Sequence, residues 1–145
     1  MRFVYRFIPV LALLFTLGAN SFAQSASRTV IQVPFDFIAG EQRLPAGTYT
    51  VEPVRRDTYT AWEIRSTTGG AGTAVLTSPL RGGATHDAVR LVFRKYGETY
   101  LLAQLWPSGD GAGRELLHPG GRAGAVIEAL AGKDRHVEAV IVAAR

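Results

Sequence analysis

From residue 29 onward, apolar side chains recur mostly at every second position, in short runs broken by Gly, Pro or Asp clusters. That period belongs to β-strands, whose successive side chains point to opposite faces, and it predicts an all-β fold. In the first run, 29–37, Ile31, Val33, Phe35 and Phe37 share a face, while Pro34, lacking a ladder donor, marks an edge or a bulge. Leu44-Pro45-Ala46-Gly47 reads as a turn, after which 48–54 brings Tyr49 and Val51 together. Residues 55–58 are polar enough to reverse the chain. The next run, 59–66, sets Trp62 and Ile64 opposite Ala61, Glu63 and Arg65.

Gly69, Gly70 and Gly72 form a loop, 73–80 a weaker strand, and Arg81-Gly82-Gly83 opens a loop that reaches His86 and Asp87. The clearest hairpin follows: Val89, Leu91 and Phe93 alternate with Arg90, Val92 and Arg94, Tyr96-Gly97-Glu98 reverses the chain, and 99–106 returns. A Gly-rich loop occupies 107–113. Apolar residues at 126, 127 and 130 predict one short helix over 123–131, ended by Gly132, and 137–142 closes or extends the sheet as a last strand. The expected architecture is mainly antiparallel: a small β-sandwich or β-barrel of about seven strands with one short C-terminal helix. Arg90, Arg94, Glu63 and Arg65 on the alternate faces argue against an outer-membrane barrel, which needs an apolar outer band.

The first residues have a different character. Arg2 and Arg6 precede an apolar stretch from Phe7 to Leu17, then Gly18, Asn20 and Ser21; Ser21-Phe22-Ala23 supplies the small residues that signal peptidase requires. The apolar core falls well short of the roughly 20 residues that span a bilayer, so residues 1–23 are expected to be a cleaved signal peptide and 24–145 a single β-rich domain beginning at Gln24. Removing 23 of the 145 residues leaves 122, enough for one modest core. The signal holds two of the 16 basic residues, so 14 basic residues face 12 acidic ones, too small an excess to favour nucleic acid. With no cysteine, the chain can carry neither a disulfide nor a thioether-linked lipid.

Three runs, Val33-Pro-Phe-Asp-Phe-Ile-Ala-Gly40, Leu44-Pro-Ala-Gly-Thr-Tyr-Thr-Val51 and Leu91-Val-Phe-Arg-Lys-Tyr-Gly97, are followed by Tyr100 to Trp106. Together they resemble an uncharacterised family of small secreted bacterial β-rich proteins over about residues 30–117. The resemblance implies export and one β-rich domain, and it brings no catalytic residues.

Candidate chemistry is sparse. His86, His118 and His136 lie in separate segments, and His136 with Glu138 makes only a lone pair on one strand face, short of the convergent set that zinc needs. Ser66, Ser78 and Ser108 lack the strand-to-helix elbow that exposes a nucleophile. The glycine loop around Asp110 lacks the lysine-serine pair of a phosphate cradle, and one carboxylate falls short of a calcium site. Asp36, Glu63 and Asp87 are the scattered acids available for hydrolysis. Tyr49, Tyr59, Trp62, Tyr100 and Trp106 could line a sugar or lipid face, but the demand of a small core for bulky filling favours an interior role.

The sequence therefore assigns no catalytic, cofactor-binding or metal residue and predicts no cofactor. It points to a non-enzymatic exported domain, periplasmic or extracellular, that binds or assembles with an envelope protein. The alternative is a β-barrel carrier of an apolar small molecule. Neither nucleic acid nor a stable membrane span after cleavage is expected.

Overall fold

The computed structural model describes residues 29–55, 57–117, 124–125, 128–129, 132 and 138–144. The expected signal peptide with its junction before Gln24, His118 and His136 lie outside the described residues. In the region of the expected helix, Gly124, Ala125, Glu128, Ala129 and also Gly132, the residue expected to end it, have helical backbone; Val126, Ile127 and Leu130, which carry its apolar face, are outside. No described helix is long and apolar enough to cross a membrane.

Among the described residues ten strands form one mixed sheet: β1 (Thr29–Val33), β2 (Phe37–Ala39), β3 (Gln42–Leu44), β4 (Gly47–Pro53), β5 (Ala61–Ser66), β6 (Gly72–Leu80), β7 (Arg90–Tyr96), β8 (Thr99–Trp106), β9 (Gly113–Leu116) and β10 (Glu138–Ala143). A continuous antiparallel path runs β1-β4-β5-β6-β9-β8-β7-β10. Along it β6 changes partner, pairing with β5 through Leu76 and with β9 from Thr77. Because β7 runs the length of β8 on one side, the other side of β8 is shared by β9, at Gln104 and Leu105, and by β2, which joins in parallel at Tyr100 and Leu101. The path does not return on itself. β1 and β10 come near one another without forming a ladder, so the closed-barrel alternative is corrected to an open sheet.

Three of the described strands, β2, β3 and β9, exceed the expected seven, and the first two have local causes. Pro34 ends β1 by removing a donor, so the run 29–37 breaks and Phe37 starts a new strand. The chain then turns through Gly40, whose φ of 60° suits a residue without a side chain, into β3. β9 lies within what the sequence pattern assigned to a loop and the residues after it.

The core follows the alternation closely. Ile31, Val33, Phe37, Tyr49, Val51, Trp62, Ile64, Val75, Leu91, Phe93, Leu102, Leu105 and Leu116 pack as one buried cluster. Phe37 meets both Tyr49 and Phe93 edge-on with ring centroids 5.3 Å apart, and Phe35 stacks on Tyr100 at 3.8 Å. Such pairs add about 0.5–1.5 kcal/mol each beyond the area they bury. The Tyr49 hydroxyl donates to the Pro45 carbonyl at 2.5 Å, tying strand β4 to the turn before it. Burial, with the Asp36 charge adding to it, pushes that hydroxyl above its usual pKa, so it stays a neutral donor.

Candidate functional site

The residues singled out for chemistry are dispersed, and most have structural partners. Asp36 accepts the Ala46 amide at 2.9 Å and lies 3.8 Å from Arg43, bracing the Leu44–Gly47 turn. Glu63 pairs with Arg65 two positions along β5, and Asp87 is exposed in the loop before β7. Ser66 lies 3.0 Å from the Thr68 hydroxyl, Ser78 pairs across the sheet with Glu115, and Ser108 is exposed in a turn. Asp110 accepts the Ala112 amide at 2.9 Å, so its carboxylate shapes its own loop. His86 meets the Trp106 ring edge-on, centroids 5.9 Å apart. Among the described residues no group of three side chains could hold a metal ion.

The aromatics divide. Tyr49 and Trp62 are buried, Tyr100 and Trp106 half-buried, and Tyr59 is exposed. Trp106 lies against Gly83 and Gly113, where the space for a side chain is taken by the indole. Tyr59 has a φ of 50°, uncommon for a residue with a side chain; its carbonyl accepts the Trp62 indole N–H at 3.2 Å and the Thr77 hydroxyl at 3.1 Å, bonds that hold the bend. The Arg114 guanidinium sits 5.6 Å from the Tyr59 ring, with its Nε buried and without a hydrogen-bond partner among the described residues. On the hairpin, Arg94 faces Glu115 at 3.5 Å, both half-exposed, a surface ion pair worth at most about 1 kcal/mol.

The feature that sequence reading missed is the seam between β1 and β10. It is an open groove of about 660 Å³, lined by Val30, Gln32, Pro34, Thr48, Ile141, Val142 and Ala143, none of them charged. Val140 and Val142 pack toward the core from β10, so alternation turns Ile141 outward, where it is 60% exposed; Val30 on β1 is 46% exposed for the same reason. Gln32 and Thr48 are register partners on β1 and β4 and contribute the uncharged polar part of the lining. Among the described residues the second edge of β1 and that of β10 have no strand partner. A second depression, about 410 Å³, lies over β5 and β6, but its charged residues, Glu63 and Arg65, are bound to each other. Alternation in the sequence does place Ile141 outward once Val142 is inward. Nothing local could place β1 beside it.

No family model, no curated protein and no solved structure matches the chain.

Proposed function

We propose that this is an exported, non-enzymatic β-domain of the cell envelope that works by taking a partner strand along the β1/β10 seam. The carrying observation is a pair of strand edges that have no strand partner among the described residues and flank one groove with an uncharged lining, with Val30 and Ile141 exposed there. An open edge offers a row of backbone donors and acceptors, and soluble proteins usually blunt such edges with lysine, an inward charge or a covering segment. On β1 the described strand holds no charge, and on β10 the one carboxylate, Glu138, has Lys95 at 3.9 Å. Strand addition gives affinity through main-chain bonds and selects through alternate side chains, here Val30 and Gln32 on one wall and Ile141 and Ala143 on the other.

Two measurements test this reading. A photo-reactive residue placed at 30 or 141 in cells is expected to give adducts of discrete mass with envelope material, while the same residue at Thr73, on the other depression, gives none. Absence of adducts at all three positions overturns the seam. For export, protein recovered from periplasm or medium is expected to have the intact mass of a chain beginning at Gln24; a species retaining Phe7 to Leu17 overturns cleavage.

A further inference from the structure

We infer that the partner at the seam is a second copy of this chain, with β1 of each copy pairing against β10 of the other about a two-fold axis. The inference rests on the strand-addition reading and adds the identity of the strand.

The first argument is direction. Each of the seven pairings from β1 to β10 along the main path is antiparallel, so β1 and β10 run in opposite senses at the seam. Within one copy they approach without bonding. A two-fold axis parallel to the strands sets β1 of one copy opposite β10 of its partner, antiparallel, and repeats that contact on the other side. Four edges that have no strand partner among the described residues are then satisfied together, and the arrangement closes, whereas adding β10 of one copy to β1 of the next without the two-fold would propagate into a fibre.

The second argument is chemical complementarity. The groove lining has no charge, so it suits an occupant strand that has none. The strand Thr29–Val33 is such a strand, and so is β10 beyond Glu138, whose carboxylate lies 3.9 Å from Lys95. The outward rows also match in size, with Val30 and Gln32 on β1 and the larger Ile141 beside the smaller Ala139 and Ala143 on β10. Each copy therefore presents the kind of strand that its own groove accepts.

The experiment uses the full processed chain, whose lack of cysteine gives a clean background for cross-linking. Val30→Cys and Ile141→Cys, both at exposed positions, are made in separate preparations, checked for an unchanged melting temperature, mixed, and oxidised. The expected product is a disulfide between the two different variants, at twice the chain mass, together with a monomer–dimer equilibrium of the parent in sedimentation velocity. Ile141→Lys should raise the dimer dissociation constant about tenfold or more, while the uncharged Ile141→Thr keeps the dimer. A parent that stays monomeric at high micromolar concentration overturns the inference, as do disulfides that form only within one variant. If the cellular adducts at 30 and 141 then contain a different protein or an apolar small molecule, the second copy is wrong while the seam still binds; if no adducts form, both fall.

Discussion

Leu91→Asp is expected to leave no soluble folded domain. Leu91 is fully buried on β7, between β8 and β10 and within the cluster that holds Phe93 and Leu105. A carboxylate there has no cationic partner on its face, because alternation sends Arg90 and Arg94 to the other side. An unpaired buried charge costs several kcal/mol, a large share of the roughly 5–15 kcal/mol that holds a typical domain together. Expression in inclusion bodies, or loss of the cooperative melt in soluble material, is the expected readout. A variant that melts like the parent would mean that the register of β7 is wrong.

Gly113→Ala is expected to destabilise the domain by about 1–3 kcal/mol, the usual cost of forcing atoms into an already packed site. A methyl group built on Gly113 falls 2.7 Å from two atoms of the Trp106 indole. The strand cannot easily retreat, since Gly113 is fixed in register opposite Leu80. The collision has a specific partner, so the test is a double-mutant cycle: in a Trp106→Ala background the cost of Gly113→Ala should largely disappear. Denaturant midpoints of the four proteins measure it. Equal costs in both backgrounds would show that the indole is not what excludes the methyl.

Alternation located the longer strands, and in β4, β5 and β7 it also picked out the buried face. Leu91 and Phe93, Tyr49 and Val51, and Trp62 with Ile64 are all buried as alternation requires, because one-sided burial fixes register. The short elements were illegible for a related reason. β2 and β3 are three residues each, too few to display a period, and β9 owes its place to pairing with β6 and β8 rather than to its own pattern. The candidate site was hidden more deeply. Val30 and Ile141 are ordinary outward residues taken singly, and their meaning comes from a neighbourhood built by strands at opposite ends of the sequence.

The parallel ladder between Phe37–Ile38 and Tyr100–Leu101 bears on how the chain acquires its fold in time. No hairpin can make that contact, and β10 likewise reaches its place only by pairing with β7 after a long intervening stretch. Topologies governed by distant pairings fold slowly, on the millisecond-to-second scale, because loop-closure entropy must be overcome before the contacts form. β4, β5 and β6 are sequence neighbours that pair as a meander, whereas β2 pairs with the distant β8 and the second side of β7 is paired by β10. Completion of the sheet therefore waits for β10, near the far end of the described residues.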